Sequence, residues 1–160
     1  MKLVWMLCVI LWSISSGVVY ALPRPYNTSV DGQEVTDLST GLIWRRCAEG
    51  MVFNGVTCTG FPNRLTHEAA ILQAAAQANA TGKAWRLPNI KELSSLVDRT
   101  RFNPAIDTVA FPSAPTGAFW SASPNASFPG SVWFVGFYNG AVGASSVRFG
   151  NSQVWLVRSP

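Results

Sequence analysis

Five arginines are the side chains of this 160-residue sequence best suited to hold an anionic ligand. Arg45 and Arg46 are adjacent, Arg99 and Arg101 open a long segment without a regular hydrophobic pattern, and Arg148 ends a strand-like stretch. A guanidinium group can donate two parallel hydrogen bonds to a sulfate or a carboxylate. If several of these arginines converge in the fold, they form a ligand-binding site for an anionic polysaccharide.

The sequence contains no recognisable motif for catalysis or metal binding. The sequence lacks the G-x-S-x-G turn of serine hydrolases and the glycine-rich loops that hold phosphates. Its single histidine, His67, falls in the first turn of an alanine-rich segment, where a surface or capping position is expected. The eight carboxylates show no metal-loop spacing. We therefore predict no catalytic residue, no metal and no cofactor.

The N-terminus predicts export. Lys2 precedes an apolar run from Leu3 to about Val19, which ends in the small-x-small sequence Val19-Tyr20-Ala21. This pattern is typical of a cleaved signal peptide, here residues 1–21. Retention as an anchor is the alternative, because the run is close to the ~18–20 apolar residues that a membrane span needs. Serines and a glycine within the run favour cleavage, which leaves no stable membrane span.

The remaining chain has the size of one domain. Residues 22–34 are polar and are predicted as a lead-in segment, and residues 35–160 as the domain itself. Charged residues make up 12% of the chain, against about 25% in an average soluble domain. The net charge of +4 is small, whereas a nucleic-acid binder usually concentrates far more Lys and Arg on one face. The predicted location is secreted, periplasmic or at the cell surface.

Two cysteines remain after signal cleavage, Cys47 and Cys58. An even pair in an exported chain predicts a disulfide, which would stabilise the fold by about 3 kcal/mol in the chain-entropy model. Redox pairs are normally closer in sequence. Two cysteines and one histidine cannot supply the four ligands of a structural zinc site.

The stretch WRLPNIKEL, residues 85–93, is predicted to be structural. Trp85 would end a strand in the core, Pro88 would stop that strand, and Asn89 with Glu92 would form a helix capping box. Arg86 then needs a buried or half-buried carboxylate partner, since an unpaired buried charge is costly. The candidates are Glu92 and Asp107. If the change Arg86→Ala leaves a buried carboxylate unpaired, it should lower the free energy of unfolding by about 3–5 kcal/mol.

The elements around these residues predict a mixed fold. Residues 66–83 form the clearest helix, with Thr66 as N-cap and Gly82 as stop, and a shorter helix starts at Asn89. Four strand-like segments follow a long irregular stretch: 118–123, 131–138, 141–149 and 153–158. Asn139-Gly140 between two of them predicts a two-residue hairpin turn. The expected fold class is α+β, with two helices packed on an antiparallel β-meander. Most of the tryptophans, Trp120 among them, are expected in the core.

Several short motifs together resemble one bacterial family. They are Val35-x-Asp37, Thr40-Gly41-Leu42-x-Trp44, Cys47, Cys58-Thr59-Gly60, Trp85-Arg86-Leu87-Pro88-Asn89-x-x-Glu92-Leu93, Ile106-Asp107, Phe111-Pro112 and Phe119-Trp120-Ser121-Ala122-Ser123. The chain resembles the Lcl C-terminal domain family, named for the collagen-like adhesin of Legionella. The resemblance implies a secreted or cell-surface bacterial domain with a C-type-lectin-like fold. In the namesake the domain trimerises and binds sulfated glycosaminoglycans.

The sequence also departs from that family. It has no Gly-X-Y stalk, Ala84 stands where an acidic residue often precedes the Trp-Arg pair, and the calcium motifs of sugar-binding lectins are absent. The resemblance thus implies a non-enzymatic, metal-free binding or adhesion module, with anionic glycan as the leading ligand and homo-oligomer formation left open. The alternative is a structural or protein-interaction domain of a bacterial envelope assembly. A distant alternative is a polysaccharide hydrolase, because glycosidase carboxylates can come from any part of a chain.

Overall fold

A computed structural model describes residues 25–145 and 148–160. The predicted signal peptide lies outside these residues. The elements, in chain order, are β1 (Tyr26–Thr28), β2 (Glu34–Asp37), β3 (Ile43–Arg45), β4 (Met51–Phe53), β5 (Cys58–Gly60), α1 (His67–Thr81), α2 (Ile90–Ser95), β6 (Ala118–Pro124), β7 (Val132–Gly136), β8 (Ala141–Ser145) and β9 (Val157–Arg158). Two helices and three antiparallel sheets give the mixed α+β fold that the sequence predicts.

The first sheet joins the two ends of the domain. Its strand order is β1-β2-β3-β9, and every neighbouring pair is antiparallel. Strand β1 lies inside the segment predicted only as a lead-in, and it pairs along its whole length with β2. That segment is therefore part of the folded domain from Tyr26 onwards.

The prediction of a four-stranded C-terminal meander is wrong in its last strand. Gln153 forms only a single parallel bridge with Phe119 of β6, and β9 (Val157–Arg158) pairs instead with β3. The side chains from Val154 to Val157 are all buried, and they alternate between the two hydrophobic clusters of the domain. Trp155 and Val157 enter one cluster, whereas Val154 and Leu156 enter the other. A segment with apolar side chains on both faces is stable where both faces are covered, here by the two clusters.

The other three predicted strands do form a meander, β6-β7-β8. The turn after β7 differs from the two-residue hairpin predicted at Asn139-Gly140. The last paired residues are Gly136 and Ala141, so the turn spans residues 137–140. Phe137 is fully buried, and its carbonyl accepts a hydrogen bond from Ala105 N at 2.7 Å. Because the Phe137 ring is buried and its carbonyl pairs with Ala105, residue 137 is not part of strand β7.

The helices begin and end close to their predicted positions. Thr66 caps α1 through a hydrogen bond from Ala69 N to its side chain, and Gly82 ends the helix in the left-handed conformation. Asn89 and Glu92 form the predicted capping box of α2. Of the two positions expected for His67, the capping region is correct, since it is the first residue of α1, whereas a surface position is wrong: the residue is 6% exposed. Its Nε2 lies 3.0 Å from the Ser121 carbonyl oxygen, and its ring packs edge-on against Trp120.

The hairpin of β4 and β5 carries the disulfide predicted between Cys47 and Cys58. The Cα atoms of the two cysteines are 5.6 Å apart. The bond ties Cys58, the first residue of β5, to Cys47, the residue two positions after β3.

Candidate functional site

Arg86 in the WRLPNIKEL stretch is held by a carboxylate at the start of the helix that follows it. Its Nη1 and Nη2 atoms donate to the two carboxylate oxygens of Glu92, at 2.7 and 2.8 Å. Glu92 also accepts from Asn89 N at 2.8 Å, which closes the capping box. The hydrogen bonds from Arg86 are the main reason that the pKa of Glu92 is lowered. The arginine thus stabilises the first turn of α2.

The Arg86 side chain is 43% exposed, whereas that of Glu92 is 17% exposed. The predicted loss of about 3–5 kcal/mol on removing Arg86 applies to a buried pair, so a smaller loss is expected here. The other predicted partner, Asp107, does not contact Arg86. Its carboxylate accepts from Val109 N and Ala110 N and so caps a turn of its own.

The same stretch links two of the sheets through its backbone. Arg86 exchanges two hydrogen bonds of 3.0 Å with Val157 of β9. This single bridge replaces the strand predicted to end at Trp85. Two residues after Arg86, the Pro88 carbonyl accepts from Ala122 N of β6 at 2.7 Å. Pro88, predicted to stop a strand, instead takes part in a backbone connection between the first sheet and the meander.

Trp85 is buried beneath two arginines. The guanidinium groups of Arg45 and Arg158 lie 4.8 and 5.5 Å from its ring centroid. Arg158 also pairs with Glu34, which is bound from its other side by Lys83. Burial would raise the pKa of Glu34, but the hydrogen bonds from Lys83 and Arg158 outweigh it and lower the pKa. Trp120, the other structural tryptophan, is 1% exposed and donates to the Leu65 carbonyl at 2.8 Å.

The five arginines predicted to bind a ligand do not form one cluster. Arg45 donates to Gln77 at 2.9 Å beside Trp85. Arg46 lies over the Phe53 ring, 4.2 Å from its centroid, and donates to the Ala110 carbonyl at 3.2 Å. These two side chains are engaged with the protein interior and its loops. A convergent site of all five is therefore not present.

Arg148 occupies a different neighbourhood. Its Nη2 donates to the Pro129 carbonyl at 3.1 Å. It lines a cavity of about 470 Å³ together with His67, Glu68 and the exposed ring of Phe149. Burial lowers the pKa of His67, and the positive charge of Arg148 adds to this effect. The arginine shares this cavity with the Glu68 carboxylate, so the cavity has no strong preference for an anion.

Arg99 and Arg101 lie on an exposed segment that continues into Phe102, and the ring of Phe102 packs against a second exposed ring, that of Tyr138. Phe102 is 64% exposed and Tyr138 is 50% exposed, and their ring centroids are 4.6 Å apart in an edge-to-face arrangement. We call Arg99, Arg101, Phe102 and Tyr138 the aromatic–arginine surface. It combines flat apolar rings with guanidinium groups, which is the chemistry needed to contact a sugar ring and its anionic substituents.

Asp98 positions the turn that carries these residues. Its Oδ1 accepts from the Thr100 backbone N at 2.9 Å and from the Thr100 hydroxyl at 2.6 Å. Its Oδ2 accepts from Arg101 Nε at 2.8 Å. The hydrogen bond from the Thr100 hydroxyl is the largest of the interactions that lower the pKa of Asp98. The turn is joined to the β7–β8 connection through Asn103 N, which donates to the Tyr138 carbonyl at 2.8 Å.

Phe102 and Tyr138 were not among the residues predicted for a ligand site. The available signal was the position of Phe102 directly after Arg101 in the irregular segment, and of Tyr138 directly before the predicted turn. Their proximity depends on the pairing of residues 103–105 with residues 137–138, which joins segments distant in sequence. Sequence periodicity does not reveal such a pairing.

Two further features bear on function. Within residues 25–145 and 148–160, no group of three or more His, Cys, Asp or Glu side chains could hold a metal ion. Neither helix of the described part of the chain is long and apolar enough to cross a membrane.

The model of the Lcl C-terminal domain family matches residues 33–158, which is most of the chain. No curated protein and no solved structure shows significant similarity to this chain. The matched region begins just before β2 and ends at the last residue of β9. It includes the WRLPNIKEL stretch and the disulfide hairpin. By this match, the chain belongs to the Lcl C-terminal domain family, whose members are adhesin-associated and are not a known family of enzymes.

Proposed function

We propose that this protein is an exported, non-enzymatic adhesion domain that binds an anionic polysaccharide through the aromatic–arginine surface. The observation that carries the proposal is the exposed Phe102–Tyr138 pair, with ring centroids 4.6 Å apart, in which Phe102 directly follows Arg101 on the exposed segment that also carries Arg99. Membership of an adhesin-associated family supports the same reading.

The surface suits a sulfated or carboxylated sugar chain. Guanidinium groups donate in pairs to planar or tetrahedral anions. Exposed aromatic rings offer apolar area at a low cost in side-chain entropy, because each has two rotatable bonds. Since all four side chains are at the surface, binding to them is weakened by salt, with a screening length of about 8 Å at physiological ionic strength.

Export is part of this proposal. The Cys47–Cys58 disulfide is typical of proteins in an oxidising compartment, and an adhesin-associated domain acts outside the cell. We also propose that the fold is C-type-lectin-like. Pairing of the C-terminal strand β9 with β3, near the start of the domain, supports it.

Retention on immobilised heparin at low ionic strength tests the ligand class. The parent protein should be retained, and the double change Arg99→Ala, Arg101→Ala should weaken binding by about tenfold. The double change Arg64→Ala, Lys91→Ala is the matched control, because it removes the same charge from other exposed positions. Flow-through of the folded parent protein, or an equal loss in the control, would contradict the proposal.

A second candidate function, as a protein-interaction domain of an envelope assembly, is favoured by a separate surface. The disulfide hairpin and the residue after it expose Val52, Val56 and Phe61, at 64%, 82% and 88%. Clustered exposed apolar side chains are typical of protein contacts. Self-association would use such a surface, and it is measured by sedimentation of the parent protein and of Phe61→Ser.

The distant hydrolase alternative has no comparable support. The carboxylate pKa values that depart from the ordinary value are those of Asp31, Glu34, Glu92 and Asp98, and all four are lowered. A glycosidase needs one carboxylate with a raised pKa.

A further inference from the structure

A polar cavity lies between helix α1 and the start of the disulfide hairpin. Its volume is about 290 Å³, near the lower end of the roughly 300–1,000 Å³ typical of small-molecule sites. The polar side chains that line it are Gln33, Arg45, Glu49, Asn63, Gln73 and Gln77. It shares no residue with the aromatic–arginine surface.

Glu49 is the buried charge of this cavity. The residue is 8% exposed, and within the described part of the chain its only side-chain partner is Gln73, which donates to Oε2 at 2.9 Å. No described cation lies within ion-pair distance of it. The second oxygen of Glu49, Oε1, has no donor among the described residues and is available to a ligand.

The two glutamines of α1 offer complementary groups. Gln73 and Gln77 are four residues apart, so they lie on the same face of the helix. Gln73 uses its amide nitrogen on Glu49, which leaves its oxygen as an acceptor. Gln77 accepts from Arg45 Nη2 at 2.9 Å, which leaves its NH₂ group as a donor. The cavity therefore presents carboxylate and amide acceptors beside an amide donor.

The wall opposite the helix is fixed in place. Gly50 has φ +92°, and a Cβ atom at this position would lie 2.5 Å from Asn63 Oδ1. Asn63 N donates to the Glu49 carbonyl at 2.7 Å. The glycine thus allows Asn63 to approach the backbone that carries Glu49, and Glu49 N donates in turn to the Val154 carbonyl at 3.0 Å.

We propose that this cavity binds one sugar ring of a neutral saccharide, with Glu49 Oε1 accepting a hydroxyl hydrogen of the sugar. Hydroxyl groups both donate and accept, which matches the alternation of acceptors and donors from Glu49, Gln73 and Gln77. Arg45 and Glu49 line the cavity with opposite charges, so the cavity as a whole does not favour a sulfate or an acidic sugar. This site goes beyond the proposed anionic surface, since it would contact uncharged units and would retain them at high salt.

Nuclear magnetic resonance of the folded, ¹⁵N-labelled protein tests the proposal, with D-glucose, D-galactose, D-mannose and N-acetyl-D-glucosamine as probes in buffer that contains EDTA. At least one of these sugars should shift the side-chain amide signals of Gln73 and Gln77. Glu49→Gln keeps the shape but loses the charged acceptor, and it should weaken that response by about tenfold or more. Glu68→Gln, the same change at an exposed position of α1, is the control and should respond like the parent protein.

Asn63→Ala provides a second variant, which decides the question alone if Glu49→Gln does not fold. It should also weaken the sugar response, because Asn63 lines the cavity without a described side-chain partner. The absence of a response to all four sugars at high millimolar concentration would overturn the proposal. So would an undiminished response in the folded variants, or a response to calcium chloride in place of the sugars. Heparin retention is measured separately, so failure here is distinguishable from failure of the anionic surface.

Discussion

Trp85 and Arg86 lie side by side in the chain, as do Arg101 and Phe102, yet the two pairs occupy opposite environments. Trp85 is 3% exposed and Phe102 is 64% exposed. Arg86 is bound through both terminal nitrogens to a carboxylate that also caps a helix. Arg101 makes one contact, with Asp98 on its own turn. An aromatic residue beside an arginine therefore does not indicate a ligand site; the partners of the arginine decide its role.

The comparison predicts its largest effect at the aromatic rings. Trp85→Ala should lower the free energy of unfolding by about 3–5 kcal/mol, because it opens a cavity in the core beneath Arg45 and Arg158. Phe102→Ala should change it by about 0.5 kcal/mol or less, because the ring is at the surface. Urea denaturation measures both. Trp85→Phe, which keeps an aromatic ring, is the control and should lose much less than Trp85→Ala. Equal losses for Trp85→Ala and Phe102→Ala would remove the distinction between the two regions.

The arginines should differ in the same direction by a smaller amount. Arg86→Ala should cost about 1–2 kcal/mol, since it leaves a mostly buried Glu92 without its cation while the exposure of Arg86 limits the loss. Arg101→Ala should cost about 0.5 kcal/mol or less, as is typical of exposed ion pairs. Double-mutant cycles with Glu92→Gln and Asp98→Asn measure the two couplings. A coupling for Arg101–Asp98 as large as that for Arg86–Glu92 would contradict this interpretation.

The interior around His67 should be sensitive to mild acid, whereas the aromatic–arginine surface, which contains no histidine, should not. Burial lowers the pKa of His67 below its ordinary value of 6.5. Below pH 6.5 the unfolded chain therefore binds a proton that the folded chain resists, and stability falls as the pH falls. Between pH 7 and about pH 5 the melting temperature should decrease, and His67→Gln should flatten this slope. Heparin affinity of the parent protein should stay constant over the same range while the protein remains folded; a slope that His67→Gln leaves unchanged would assign the effect elsewhere.

The smallest expected effect is on binding at the surface turn. Asp98→Asn retains the oxygen that accepts from Thr100 N but removes the negative charge beside Arg101. Affinity for heparin should rise by about two- to fivefold, in line with the strength of an exposed ion pair, with little change in stability. Elution from a heparin column in a salt gradient measures the affinity. Earlier elution of Asp98→Asn would show that Asp98 orients Arg101 for binding and does not compete with the ligand.

Local patterns predicted the parts of this fold that local interactions determine. The caps Thr66 and Asn89, the pairing of Arg86 with Glu92 and the disulfide all follow from residue types at short separations. The pairing of β9 with β3, outside the meander, could not be predicted this way. A continuous apolar segment fits any buried strand, and its partner β3 lies more than 100 residues earlier.

The candidate site shows the same limit. Arg99 and Arg101 were identified from charge and from their position in an irregular segment, but the neighbouring rings were not. Arg45 and Arg46 were assigned to the same site because adjacent arginines suggest a charged surface. The structure instead places Trp85 under one and Phe53 under the other. Such contacts depend on tertiary packing, which sequence spacing does not encode.

The position of β9 has a consequence for how the domain folds. The first sheet cannot be completed, and neither hydrophobic cluster can be filled, until residues 153–158 reach β3. Contacts between such distant segments require a long loop to close before they contribute, which slows folding. During synthesis, which proceeds from the N-terminus, the chain would therefore have its helices and hairpins but no closed core until the final strand is available. A fragment that ends before residue 153 should bind hydrophobic dyes and be cleaved rapidly by proteases, even though it retains the disulfide and both helices.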